Sequence, residues 1–235
     1  TKSDELLKEA CEFVYNLGKE GKVLLFVGTK KQARPIIEQL AKELEAPYMT
    51  ERWMGGFLTN FEEIKKNIKK LKEFLEQKEK GGLSKYTKKE QLLLDRKMVK
   101  LGRDFAGVMD FPGLPDAIFV TDAVTENIAI REARRLGIPV VAIADSNSDP
   151  TQIDYPIPGN DDAIKSITIL VTAIANAYDE GKKDAGKQAA KLKEKEEKAA
   201  TKVEAAEETV LAEEVAEAEE KVEKETVKDF ERVVK

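Results

Sequence analysis

The residues best suited to chemistry stand where the first strongly apolar segment, residues 22–28, comes to its end. Thr29, Lys30 and Lys31 follow it directly, at the point where an α/β enzyme places a phosphate-binding loop. Free backbone N–H groups and two lysines at such a turn could hold an anion. The glycine patterns of dinucleotide-binding and phosphate-binding loops are both absent, however. A capped turn with solvated lysines explains the pattern at least as well.

Two aspartates could do acid/base or metal chemistry, because Asp122 and Asp145 each end a further apolar segment. Aspartates at such positions more often cap turns and the helices that follow. The sequence contains no histidine, which excludes His-based catalytic dyads and His-containing metal sites. We therefore expect no enzyme, no bound metal and no cofactor.

The elements that would position these residues alternate between strands and helices. Buried strands are predicted at 22–28, 116–122 and 138–145, with a weak strand at 46–50 and a proline-bounded edge strand at 155–158. Helices are predicted at 4–17, from Thr29 (with Gln32 as its capping partner) to 44, at 126–136 and at 161–178, the last with Ile164, Ile167, Val171 and Ile174 inward. This order predicts an α/β three-layer body with a mainly parallel sheet.

A different repeat interrupts this body between residues 61 and 105, here called the arm. Phe61, Ile64, Ile68, Leu71 and Leu75 have coiled-coil spacing, and so do Gln91, Leu94, Met98, Leu101, Phe105 and Val108. A glycine-containing turn at 80–84 separates the two series, and Thr87 with Glu90 forms a capping box for the second. The pattern predicts an antiparallel coiled-coil helical hairpin.

Charge is distributed unevenly along the chain, which carries a net charge of −5. Residues 62–103 contain 14 basic and 7 acidic side chains, whereas the body is acidic. This segregation suggests a polyanionic partner for the arm, although a solvated coiled coil is also rich in lysine. We expect three parts: a body (1–60 and 106–181), the arm (61–105) and a charged Ala/Glu/Lys-rich tail (182–235), helical or disordered.

The junction between body and arm is residues 52–60, which include the only tryptophan. Gly55 and Gly56 would allow the chain to turn sharply. The patterns Thr59 with Glu62 and Asn60 with Glu63 predict a helix start directly afterwards. Trp53 could be buried beneath the arm or stack on a base, and burial is the favoured interpretation. The single cysteine, Cys11, excludes an intramolecular disulfide and suits a reducing cytosol.

Several of these strings together resemble a known family. They are Phe26-Val27-Gly28-Thr29-Lys30-Lys31-Gln32-Ala33, Arg52-Trp53-Met54-Gly55-Gly56-Phe57-Leu58-Thr59-Asn60, Gly137-Ile138-Pro139-Val140-Val141-Ala142 and Asp154-Tyr155-Pro156-Ile157-Pro158-Gly159-Asn160-Asp161-Asp162. In this order, over residues 4–179, the chain is similar to bacterial small-subunit ribosomal proteins of the S-two family. The family's N-terminal segment with its Gly-His-Gln motif has no counterpart in this sequence, and the tail lies outside the shared core.

The resemblance implies a flavodoxin-like (Rossmann-like) sheet with a projecting hairpin, and a structural role in the cytoplasmic small ribosomal subunit without catalysis. Its implied partners are ribosomal RNA, the mRNA-binding protein S-one and neighbouring small-subunit proteins, with no membrane and no stand-alone homo-oligomer. Expected RNA contacts are Arg52, Trp53, Gly55, Gly56, Asn60, Lys65, Lys66, Lys69, Lys70, Lys85, Lys88, Lys89, Arg96, Lys97, Lys100 and Arg103, with Thr29, Lys30 and Lys31 as further anion or RNA contacts. The alternative is a nucleotide-binding α/β adaptor with a coiled-coil interaction arm.

Overall fold

The structure, a computed structural model, describes residues 2–80, 87–109, 111 and 113–187. Its helices are α1 (Lys2–Lys19), α2 (Arg34–Glu43), α3 (Phe61–Glu79), α4 (Lys88–Phe105), α5 (Asn127–Arg135) and α6 (164–187). Its strands are β1 (Leu24–Val27), β2 (Tyr48–Met49), β3 (Ala117–Val120), β4 (Val140–Ala144) and β5 (Tyr155–Pro158). The chain divides into two compact units, Thr1–Ala185 and Gly186–Lys235, and most of the second lies outside the described residues.

The five strands form one sheet in the order β2-β1-β3-β4-β5, and every neighbouring pair is parallel. This confirms the predicted α/β parallel sheet, including the placement of the Tyr155–Pro158 strand at an edge. The chain winds outward from β1 to β2 and then returns to β3 on the other side of β1. The carboxyl ends of β1 and β3 therefore meet at the point where such folds bind ligands.

Alternate residues of each strand enter two separate cores, which makes the body three layers thick. Leu24 and Phe26 pack with α1, α2 and α6 on one face of the sheet. Leu25 and Val27 face the other way, into a cluster with α5, the junction and the roots of both arm helices. The arm is thus rooted in the second core through Ile64, Ile68 and Phe105.

Three predictions about the helices of the body are wrong. Helix α2 begins at Arg34 rather than Thr29. Its N-cap residue is Ala33, which has no capping group, and Thr29 bonds Glu126 instead. Ile164 is 62 % exposed instead of inward, since it stands in the first turn of α6, while Ile167, Val171 and Ile174 are buried as expected. Helix α6 continues to residue 187, past the predicted start of the tail at 182.

Candidate nucleic-acid interface

The lysine that follows β1 does not face open solvent as an anion site would require. Lys30 Nζ lies 3.1 Å from Asp122 Oδ2, 3.0 Å from Asp161 Oδ1 and 2.6 Å from Asp162 Oδ1. The first two carboxylates are almost completely buried, so this cluster joins the ends of β1 and β3 to the segment before α6. Its net charge is negative, which disfavours a phosphate at this edge of the sheet.

Burial disfavours the charged forms of Lys30 and its aspartate partners, whereas the hydrogen bonds and ion pairs between them favour those charged forms. Burial alone would raise the pKa of Asp122, but hydrogen bonds from Thr125 and the Lys30 ammonium outweigh it and hold that pKa below its usual range. Burial opposes the charged form of Lys30 as well, yet its hydrogen bonds to the three carboxylates raise its pKa. For Asp161, burial dominates and raises the pKa. Lys30 therefore remains an ammonium held in place by carboxylates.

Thr29 is also engaged within the protein. Its backbone N–H donates to Glu126 Oε1 at 3.0 Å, and its hydroxyl donates to the same oxygen at 2.5 Å. Burial raises the pKa of Glu126. Of the three residues predicted as an anion contact, only Lys31 is exposed. Asp122 caps a turn, as the non-catalytic interpretation expected, because it accepts from the backbone N–H groups of 124 and 125. The Asp145 carboxylate accepts from the N–H of the next residue, Ser146.

The junction is organised by one buried carboxylate that no pattern in the sequence singles out. Glu132, on α5 and 8 % exposed, accepts hydrogen bonds from five donors of the junction. Its Oε1 accepts from Trp53 Nε1 at 3.3 Å and from the Gly56 N–H at 2.7 Å. Its Oε2 accepts from the N–H groups of Leu58 (3.0 Å) and Thr59 (3.2 Å) and from the Thr59 hydroxyl (3.3 Å).

The predicted side-chain caps of α3 do not form, and Glu132 accounts for the loss of the one at Thr59. Asn60 is the N-cap residue of α3, but neither its side chain nor that of Thr59 bonds the first turn of the helix. Thr59 donates to Glu132 instead. Gly56 has a φ of +86°, which an L-residue adopts only with strain, so the turn requires glycine.

Trp53 is buried beneath the arm, as the favoured interpretation expected. It is 6 % exposed, and its ring packs edge-on against Phe57 with centroids 5.2 Å apart. Phe57, Phe61 and Phe111 continue this series of perpendicular rings into the root of the arm. Stacking of Trp53 on a base stays untested, but the ring has little free surface for it. Arg52, Gly55 and Asn60 are exposed on the same junction.

The two arm helices run side by side in opposite directions. Phe105 packs in one cluster with Ile64 and Ile68 at the root, and Lys78 Nζ lies 2.9 Å from Asp95 Oδ1 farther out. Ile64, Ile68 and Leu71 are buried as predicted, but Leu75 is 42 % exposed and Phe74 is buried in its place. Phenylalanine has the larger apolar surface, so its burial stabilises the hairpin more than that of leucine. Supercoiling of the pair stays a prediction.

The predicted arm cations lie almost entirely on exposed surface. Within the described part of the chain, the exposed ones are Lys65, Lys66, Lys69, Lys70, Lys88, Lys89, Arg96, Lys97, Lys100 and Arg103. Lys85 lies outside the described residues. Lys66 pairs with Glu63 and Lys69 with Glu73, both on the surface. Arg103 lies 3.6 Å from Glu51, which also pairs with Arg34 at 3.3 Å, so this arginine ties α4 to the body.

Across the described ranges, no group of carboxylates and cysteines is arranged to hold a metal ion. No described helix is long and apolar enough to cross a membrane. The fold and the interface thus define an all-parallel α/β protein whose ligand edge is occupied by its own ion pairs and whose helical arm carries exposed cations.

Comparison with known proteins identifies the family. A match to the family Ribosomal protein S2 covers residues 1–181. A small ribosomal subunit protein uS2 from Nitratiruptor sp. is 52 % identical over 174 residues, which cover 72 % of this chain and 65 % of that protein. The uS2 proteins of Hahella chejuensis (44 % identical; 86 % of this chain and 80 % of that protein) and Coprothermobacter proteolyticus (45 %; 88 % and 78 %) are also similar.

The chain belongs to the ribosomal protein S2 family. This confirms the resemblance seen in its sequence, and the family is one of ribosomal structural proteins, not of enzymes.

Proposed function

We propose that this chain is a structural constituent of the small ribosomal subunit in the cytoplasm, that it binds small-subunit ribosomal RNA through its arm and junction, and that it helps to dock the mRNA-binding protein S-one. Membership of the ribosomal protein S2 family supports the structural role. The charge and geometry of the arm support RNA as the partner.

The RNA proposal rests on one observation: the charged side chains of the arm and its buried apolar side chains lie on different surfaces of the two helices. At the root of the arm, the buried side chains Ile64, Ile68 and Phe105 pack into the second core. The lysines and arginines of both helices occupy the remaining surface, and among the described residues no ion pair involves Lys65, Lys70, Lys97 or Lys100. Cations of this kind on a projecting element can bind phosphates without breaking an internal ion pair.

The paired lysines are available as well, because exposed ion pairs contribute at most about 1 kcal/mol. Lys66 and Lys69 can therefore exchange Glu63 and Glu73 for RNA phosphates at little cost. Binding of this kind releases counterions, so its affinity falls steeply with salt and depends little on nucleotide sequence. The structure offers no comparable set of cations at the carboxyl edge of the described sheet, where Lys30 is already paired.

The test is co-sedimentation of the full chain with small ribosomal subunits that have been depleted of their own S2-family protein. The variant Lys65→Glu/Lys66→Glu/Lys69→Glu/Lys70→Glu should associate more weakly, and its association should depend less on salt. A matched control reverses four exposed lysines of the body: Lys2, Lys8, Lys19 and Lys42. Equal association of the arm variant and the wild type would remove the arm from the RNA-binding surface.

Docking of protein S-one is tested separately, by capture of purified S-one on depleted subunits before and after this chain is restored. Restored capture supports the proposal, and unchanged capture contradicts it. The alternative, a nucleotide-binding adaptor, predicts specific uptake of nucleotides in equilibrium dialysis. The carboxylates that surround Lys30 already neutralise it, so we expect no such uptake.

A further inference from the structure

Helix α5 presents a basic surface that is separate from the arm. Arg131 and Arg135 are exposed and stand four residues apart, so their side chains are neighbours on the helix. Arg135 also follows Glu132 by three residues, and the exposed Ile128 precedes Glu132 by four. Arg135 therefore lies beside the buried Glu132, which contacts the junction, and Arg131 lies beside Arg135 on the exposed surface of α5.

Glu132 does not neutralise these arginines. Both of its oxygens are saturated by hydrogen bonds from Trp53, Gly56, Leu58 and Thr59. Within the described part of the chain, neither Arg131 nor Arg135 takes part in an ion pair. Arg134, which follows Arg131 by three residues, differs from them because its Nη1 donates to the Thr151 carbonyl at 2.9 Å.

The junction adds a third cation to this surface. Arg52 is exposed, has no ion pair among the described residues and directly precedes Trp53. The residue that follows it, Trp53, donates from Nε1 to Glu132 and so contacts α5. One buried carboxylate thus holds together two segments that each carry guanidinium groups without an ion-pair partner among the described residues.

We propose that Arg131 and Arg135, with Arg52, form a second surface that binds the RNA backbone, on the body and at the root of the arm. Guanidinium groups bind phosphate oxygens in pairs of parallel hydrogen bonds, and guanidinium groups that no described carboxylate neutralises complement a polyanion. This inference rests on the proposed function, since it assumes the same RNA. It assigns part of the affinity to residues outside the arm and predicts that the arm and α5 bind RNA together.

The experiment measures binding of the full chain to protein-free bacterial small-subunit ribosomal RNA over a range of salt concentrations. The test variant is Arg131→Gln/Arg135→Gln, and each single substitution is made alongside it. Arg134→Gln is the matched control, because it removes the same charge from the same helix at an arginine whose guanidinium is already held by the Thr151 carbonyl. The four-lysine arm variant is measured in parallel, and Trp53 fluorescence and circular dichroism verify that each variant is folded.

We expect the double variant to bind about tenfold more weakly. The slope of log affinity against log salt should fall by about one for each phosphate that is no longer neutralised, while Arg134→Gln leaves both quantities unchanged. If only the arm variant binds more weakly, the second surface is wrong and the proposed function stands. If every variant binds as the wild type does, both the second surface and the proposed RNA binding by the arm are wrong. A defect of the double variant with depleted subunits but not with free RNA would show that the surface binds a ribosomal protein, and would overturn the proposal.

Discussion

The indole Nε1 of Trp53 donates a hydrogen bond of 3.3 Å to Oε1 of Glu132, and so joins residues that are 79 positions apart in the chain. The same carboxylate accepts four further hydrogen bonds from the residues that lead into α3. A charged acceptor in a buried site makes stronger hydrogen bonds than a neutral one. Glu132 therefore fixes the junction against α5 and sets the position from which the arm leaves the body.

Replacing this carboxylate should loosen the junction. Glu132→Gln places an NH₂ group against donors that now face an oxygen, and we expect it to lower the free energy of unfolding by about 2 kcal/mol. Since Trp53 is the only tryptophan, its fluorescence should shift to longer wavelength as water reaches the ring. Glu12→Gln, on an exposed position of α1, is the control and should change neither quantity. An unchanged emission maximum in Glu132→Gln would contradict the assigned role.

The Lys30 cluster makes a prediction about pH. Lys30→Met leaves Asp122, Asp161 and Asp162 without their cation and should lower the free energy of unfolding by about 3 kcal/mol at neutral pH. Lys31→Met, at an exposed neighbouring residue, is the control and should lower it by almost nothing. The pKa of Asp122 is lowered in the folded protein, so its stabilising contribution exists above the ordinary aspartate pKa and is lost as pH falls. The deficit of Lys30→Met should accordingly shrink below about pH 4. Urea unfolding at several pH values measures this, and a deficit that is independent of pH would argue against the ion pairs.

Close packing of α1 against α6 is also testable. A Cβ atom on Gly181 would meet the backbone carbonyl oxygen of Tyr15, and one on Gly18 would meet that of Tyr178. Gly181→Ala should therefore destabilise the protein by about 2 kcal/mol even though alanine favours a helix. Gly102→Ala in α4, where a Cβ meets nothing within 4 Å, should be neutral or should stabilise its helix by up to about 1 kcal/mol. Thermal unfolding compares the two, and equal effects would rule out the close approach of the two helices.

Two adjacent residues of α3, Phe74 and Leu75, differ in burial and should therefore differ in their contribution to the stability of the arm. Phe74→Ala should destabilise the hairpin by about 3 kcal/mol, because Phe74 is buried, while Leu75→Ala should cost less than about 1 kcal/mol. The arm can open without the body, so hydrogen exchange of the amides in α3 and α4 is the appropriate measurement. Faster exchange in Leu75→Ala than in Phe74→Ala would show that Leu75 is the residue that packs between α3 and α4, as the sequence repeat predicts.

Periodicity and local turn chemistry were enough to predict the elements of the body. Apolar runs on both faces of a strand are characteristic of a parallel sheet, and all five predicted strands appear in one, with Tyr155–Pro158 at its edge because its prolines cannot donate ladder hydrogen bonds. The capping box of Thr87 with Glu90 forms as predicted, since its two partners are three residues apart and need no distant group.

Two predicted helix caps failed because a distant carboxylate accepts the hydrogen bond of the capping residue. Thr29 and Thr59 both matched helix caps in sequence, but the fold brings Glu126 to the first and Glu132 to the second. Likewise, the sequence showed lysines after β1 without showing that three aspartates from two other segments surround Lys30. Sequence alone thus determined the sheet, the helices and the basic arm, because those depend on spacing along the chain. Only the tertiary structure decided which carboxylate meets which donor, because that choice depends on segments that folding alone brings together.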